Sequence, residues 1–176
     1  MIRFLVMDVD GTLTDGKIYI GSKGEMMKAF DIKDGYGIHD IAIQAGITPV
    51  IITGRKSEIV QRRCDELGIK EVHQGVKDKL AKLREVTGDL SCVAYIGDDL
   101  NDIPCMEAVK GAGGVVGCPI DAVRKVRDTA VFVSSHKGGD GAVREFIEFL
   151  IDFVDPAPAR HSSNEFGSAL AYSQRS

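Results

Sequence analysis

The sequence predicts an α/β fold, a Rossmann-like three-layer αβα sandwich around a central parallel sheet, in a single domain over residues 1–154. Three observations predict it. Short apolar runs recur along the chain and alternate with segments whose apolar residues repeat at helical spacing. The run that opens the chain, Ile2 to Met7, is apolar apart from Arg3, which suits a strand buried on both faces of a parallel sheet. Polar clusters follow the ends of three such runs: Asp8 and Asp10, then Thr53, then Asp98 and Asp99. In an open parallel sheet the carboxyl ends of the strands share one edge, where ligands bind, so these clusters should meet.

After the first strand, Gly16 to Asp34 reads as a β-hairpin flap, with Lys-Ile-Tyr-Ile, a turn at Gly21 to Gly24, and a return run through Met26 and Met27. Ile38, Ile41, Ala42 and Ala45 then repeat at helical spacing, and Gly46 stops that helix. A buried strand spans Thr48 to Thr53. Ser57 is placed to cap a helix running to Leu67, with Gly68 as its stop. A short strand at Glu71 to His73 precedes a helix from Asp78 to Val86 with Leu80 and Leu83 inward. The strand Cys92 to Ile96 leads into Gly97-Asp98-Asp99, and a helix begins near Pro104, a residue tolerated in a first helical turn. Two weaker units follow, a strand at Gly114 to Gly117 with a helix near 122–126 and a strand at Ala130 to Val133. The last helix, Ala142 to Val154, turns Val143, Phe146, Ile147, Leu150 and Ile151 inward. Beyond it, residues 155–176 are rich in Pro, Ala, Ser and Gly and carry no core pattern, so they read as a linker or disordered tail.

Composition narrows the function classes. The 176 residues are 44% hydrophobic and 27% charged with a formal net charge of −4, an ordinary globular balance with no basic surface, so nucleic acid is not an expected partner. Cys64, Cys92, Cys105 and Cys118 form no C-x-x-C pair and read as reduced core residues of a cytoplasmic protein. Asp8 interrupts the opening apolar run too early for a signal sequence, and no stretch reaches transmembrane length, so no membrane association is expected.

Asp8 and Asp10 are two residues apart on a predicted strand and should therefore point to one place at its carboxyl end. Two anions held so close repel unless a cation lies between them. Mg²⁺ suits such a site, since it takes one or two carboxylates together with substrate phosphate oxygens. Read alone, each element has a plainer explanation: Asp-x-Asp-Gly as a polar turn, Thr53 as a strand-end turn residue, Asp98 and Asp99 as a helix N-cap. Together, a carboxylate pair, a hydroxyl, the ammonium of Lys79 at a helix start and a second acidic cluster are what phosphoryl transfer requires.

In their order and spacing, Asp8-Val-Asp10-Gly-Thr12, Thr53-Gly54-Arg55, Lys79 and Gly97-Asp98-Asp99-Leu-Asn101-Asp102 resemble the four motifs of the haloacid dehalogenase superfamily of phosphatases. The resemblance implies that Asp8 is the nucleophile and accepts the phosphoryl group, while Asp10 protonates the leaving alkoxide and later activates water. It implies that Thr53 and Gly54 bind the phosphate, that Lys79 offsets its charge, and that Asp8, Asp98 and Asp10, the last through its backbone carbonyl, hold Mg²⁺. Asp99 and Asp102 would orient Lys79 or water at the metal. Lys77 and Lys82 compete for the place of Lys79.

A narrower resemblance rests on the hairpin in place of a cap domain, Lys33-Asp34-Gly35-Tyr36-Gly37, Thr53-Gly54-Arg55-Lys56-Ser57, Arg63-Cys64 and Gly138-Gly139-Asp140-Gly141-Ala142-Val143-Arg144-Glu145. These segments are similar to the 3-deoxy-D-manno-octulosonate 8-phosphate phosphatases. That family implies a Mg²⁺-dependent cytoplasmic homotetramer in lipopolysaccharide precursor synthesis, with each pocket completed by a neighbouring subunit and a sugar acid phosphate as substrate. Arg55 is the natural partner of the substrate carboxylate, and Arg63 a weaker one. Two alternatives stay open: a phosphatase of nine-carbon sugar acids, whose branch carries an acidic residue where this chain has Arg55, and a non-catalytic tetramerisation module like those fused to sialic acid cytidylyltransferases. Gly138 to Gly141 reads as a flexible joint.

Overall fold

The structure is a computed structural model that describes residues 1–154; the tail read above as a linker lies outside the described residues. Six parallel strands form the central sheet in the order β5-β4-β1-β6-β7-β8. They are β1 (Phe4–Met7), β4 (Thr48–Thr53), β5 (Glu71–Gln74), β6 (Val93–Ile96), β7 (Val115–Cys118) and β8 (Phe132–Val133). A separate antiparallel hairpin joins β2 (Tyr19–Gly21) to β3 (Gly24–Met27). The helices are α1 (Ile32–Tyr36), which continues as a π-helical turn over Gly37–Ala42, then α2 (Glu58–Glu66), α3 (Lys79–Thr87), α4 (Ile103–Gly111), α5 (Arg124–Thr129) and α6 (Ala142–Val154).

Strand alternation divides the core into two layers. Leu5, Met7, Ile51, Ala94 and Ile96 face Val60 and Cys64 of α2, Ile38 of the π-turn, and Val143, Phe146, Ile147 and Leu150 of α6. Val6, Val50, Ile52, Val93 and Tyr95 face Leu83 of α3, Cys105, Met106 and Val109 of α4, and Val126 of α5. The three-layer αβα sandwich is therefore the observed fold. Ser57 caps α2 and Asp78 caps α3, each side chain accepting from a backbone N–H one turn in. The four cysteines are buried and free. No described helix is long and apolar enough to cross a membrane.

The chain leaves β1 for β4 and β5 on one side, then returns to β6, β7 and β8 on the other. The reversal opens a crevice at the carboxyl ends of β1 and β6, flanked by β4. Asp8, Asp98 and Thr53 stand there because each is at or just past the end of one of these strands.

Two sequence expectations need correction. The paired strands of the hairpin span only residues 19–27, not 16–34, because Asp31 accepts from the backbone N–H of Lys33 and Asp34 and starts α1 at Ile32. Gly138 to Gly141 is packed, not a loose joint. A Cβ on Gly138 would stand 1.9 Å from the Gly11 carbonyl, and the Gly139 N–H donates to the Thr12 carbonyl at 3.0 Å. Gly139 has φ +65°, which glycine adopts without strain. The segment thus buttresses the loop that carries Asp8 and Asp10.

Candidate active site

Asp8 directly follows β1 and is 5% exposed. Its carboxylate lies 2.9 Å from the Lys79 ammonium, which sits at the first position of α3 and lies 2.8 Å from Asp102. Lys82 instead pairs with Glu85 on the helix exterior, so the structure brings Lys79 and not Lys82 to the acids. One carboxylate oxygen each from Asp8, Asp98 and Asp102 can be found within 4.8 Å of one another. Asp98 accepts from the Thr12 hydroxyl at 3.0 Å. Gly11 keeps this space open, since a Cβ there would lie 2.1 Å from an Asp98 carboxylate oxygen. Thr53 ends β4 and is 3% exposed. Gly54 forms the exposed turn after it, where an added Cβ would meet only the Val76 carbonyl at 3.7 Å.

Asp102 is fully occupied by hydrogen bonds. One oxygen accepts from Lys79 and from the Tyr95 hydroxyl at 2.7 Å, and the other from the backbone N–H of Asp98 and Asp99 at 3.1 and 3.2 Å. It fixes Lys79 and the Asp98 loop and has little left to offer a cation. Asp99, expected to orient Lys79 or water at the metal, is exposed and caps the 3-10 turn Leu100–Asp102 by accepting from the Leu100 N–H. For Asp99 the N-cap reading holds.

The electrostatics ask for a cation. Burial, then the charge of Asp102, raises Asp8 to about 6 despite Lys79. Burial, then Asp8 and Asp102, raises Asp98 to about 7. Burial alone would lower Lys79, but Asp8 and Asp102 outweigh it and hold the ammonium charged. Two desolvated, mutually repelling carboxylates on a rim of hard oxygen donors fit a small divalent ion.

No protein-family model matches the chain. Over 154 residues, covering 85% of this chain and 80% of the relative, it is 43% identical to the 3-deoxy-D-manno-octulosonate 8-phosphate phosphatase of Yersinia pestis. The chain belongs to the 3-deoxy-D-manno-octulosonate 8-phosphate phosphatase family. A solved relative from Moraxella catarrhalis, in complex with magnesium ion, phosphate ion and KDO, superposes with TM-score 0.80 at 39% identity over 86% of both chains. A cobalt-bound relative from Haemophilus influenzae gives TM-score 0.78 at 35% identity over 86% of this chain and 88% of its own.

The Asp10 side chain does not join the acids at Asp8, as strand alternation predicted it would. Strand β1 ends at Met7 and the chain enters a turn, so the two-residue alternation that would align Asp8 with Asp10 no longer applies. Asp10 instead bonds the Lys28 ammonium and lies 3.6 Å from Arg55, which leaves only its backbone for a metal. Arg55, with a 44% exposed side chain, is also 3.5 Å from Glu25 on the hairpin. Arg63 is remote from this network, pairing with Glu66 at 2.7 Å and stacking over Phe30.

The sequence assigns no role to Lys28 or Tyr95, and none to Thr12 beyond closing the first motif. Lys28 had a signal, a lone cation among Met26, Met27, Ala29 and Phe30, and its side chain is 1% exposed. Tyr95 had one as well, since a tyrosine inside a buried strand needs a partner for its hydroxyl.

Proposed function

We propose that this chain is a Mg²⁺-dependent phosphomonoesterase that hydrolyses 3-deoxy-D-manno-octulosonate 8-phosphate to the free sugar acid and phosphate. The observation that carries the reading is the convergence of Asp8, Lys79 and Asp98 in the crevice between β1 and β6, with Thr53 buried at the end of the neighbouring strand β4. The Moraxella relative, solved with magnesium, phosphate and KDO, supports the choice of metal and of substrate.

Asp8 and Asp98, with the Asp10 backbone carbonyl, would hold Mg²⁺, which supplies positive charge between the nucleophile and the phosphate oxygens. An Asp8 carboxylate oxygen forms a bond to phosphorus as the ester P–O bond breaks. The electron pair left on the alkoxide takes the Asp10 proton. Water then attacks phosphorus, its proton returns to Asp10, and Asp8 leaves as a free carboxylate while inorganic phosphate departs. Lys79 and the Thr53 hydroxyl stabilise charge on the equatorial oxygens throughout. Asp102 serves both steps by keeping Lys79 aimed at Asp8.

Arg55, half-exposed beside Asp10, would take the substrate carboxylate. The exposed hairpin residues Ile18, Ile20, Met26 and Met27 supply an apolar face for a neighbouring subunit, in keeping with a homotetramer whose pockets are shared. The reaction belongs in the cytoplasm, in lipopolysaccharide precursor synthesis.

Phosphate release from eight- and nine-carbon sugar acid phosphates, and from an aryl phosphate without a carboxylate, tests the assignment. The eight-carbon ester should be preferred, and Arg55→Ala should reduce turnover of both sugar acids more than turnover of the aryl ester. A preference for the nine-carbon ester, or equal losses on all three, contradicts it.

A further inference from the structure

The hairpin contributes more than a cover. We propose that Lys28 is a positioning residue for Asp10, carried into the site by the hairpin to fix the direction of the carboxylate that serves the leaving group. The inference rests on the reading in which Asp10 exchanges the proton of the ester oxygen.

Asp10 sits in a turn after β1, outside regular structure, so the strand does not dictate where its side chain points. Something else must. Lys28 leaves the hairpin directly after β3, and its ammonium bonds one oxygen of Asp10. A lysine whose side chain is 1% exposed is costly to bury unless its charge is compensated. Here Glu25, 3.1 Å away, compensates the charge, including while Asp10 holds the proton it exchanges. Glu25 is anchored in turn, because its second oxygen accepts from the hydroxyl of Ser57, the residue that caps α2. Asp10 is therefore tied through Lys28 and Glu25 to a rigid helix start.

Arg55 reaches the other Asp10 oxygen, but only at 3.6 Å and from a half-exposed side chain. The two cations differ in what they are free to do. Arg55 can swing to an incoming carboxylate, whereas Lys28 is enclosed and stays with Asp10. The carboxylate thus keeps its aim when substrate enters, and proton transfer needs the oxygen within hydrogen-bond reach of the leaving atom.

An alkoxide leaving group needs that proton, whereas para-nitrophenolate is stable without it. The test uses the full chain with Mg²⁺ and compares kcat on the octulosonate phosphate and on para-nitrophenyl phosphate for wild type, Lys28→Met, Lys28→Arg and Glu25→Gln. Lys28→Met should lower kcat on the sugar phosphate by roughly tenfold to a hundredfold, a part of the roughly hundredfold to ten-thousandfold that positioned acid catalysis supplies, with the aryl ester changed less than about threefold. Lys28→Arg should recover part of the loss, and Glu25→Gln should show a smaller loss of the same selectivity. Should Lys28→Met fail to fold, the Lys28→Arg and Glu25→Gln ratios carry the comparison. Equal losses on both esters, or none on either, overturn the role of Lys28 alone. A wild type inactive on both overturns the phosphatase reading and this proposal with it.

Discussion

Raising the pH of the metal-free protein from about 5 to about 8 should cost it stability through Asp98. Burial, with the charges of Asp8 and Asp102, holds this carboxyl at about 7 against an ordinary 3.8. The folded chain then holds the proton more tightly than the unfolded chain. The contribution of the neutral carboxyl is complete below about pH 4 and is lost as pH rises through about 7. Of the roughly three units between 3.8 and 7, about two lie above pH 5, and at about 1.36 kcal/mol each they give about 3 kcal/mol, an upper limit because Asp8 shares the same repulsion. Glu25 and Glu145 are lowered and act in the opposite sense, so the wild type must be compared with Asp98→Asn, which removes only this titration. Urea unfolding followed by circular dichroism, in chelator and in saturating Mg²⁺, reads the difference. In chelator the wild type should lose up to about 3 kcal/mol relative to Asp98→Asn between pH 5 and 8, and Mg²⁺ should abolish that loss. Parallel pH curves for the two chains in chelator would refute the reasoning.

Asp34 gives a similar effect far from the metal: burial raises it to about 6 while it accepts from the backbone N–H of Arg144 at 2.8 Å at the start of α6. Asp34→Asn keeps an acceptor without the charge, so its unfolding free energy should fall less than that of wild type between pH 5 and 8, by about 1.4 kcal/mol. Asp102→Ala strands Lys79, the Tyr95 hydroxyl and two backbone N–H groups, and should cost at least about 2–3 kcal/mol by chemical denaturation; Tyr95→Phe should cost about 1 kcal/mol. Gly11→Ala drives a Cβ into Asp98 at φ +93°, so calorimetry should show weakened Mg²⁺ binding while the fold persists.

How much could be read in advance varied with how local the cause was. The sheet, its helices and the caps at Ser57 and Asp78 follow from apolar spacing and side-chain chemistry close in sequence. Lys79 was legible because a helix start after a strand directs it to the crevice. The direction of Asp10 was not, because it depends on where β1 stops and on a lysine eighteen residues away that arrives through the hairpin. The packed glycines 138 and 139 escaped for the same reason: what makes them necessary is the backbone of residues 11–15, distant in sequence. The partner of Asp99 was legible only as a pair of alternatives, because neighbouring acids look alike until the turn decides which faces inward, and the structure shows it capping that turn.

The central claim is that Asp8 itself takes the phosphoryl group. Borohydride added to the enzyme during turnover with Mg²⁺ reduces an acyl phosphate to the alcohol, so mass spectrometry of the N-terminal peptide should find Asp8 converted to homoserine, only when substrate is present. Continued release of phosphate while Asp8 stays unmodified, or modification of another carboxylate in its place, would contradict the account.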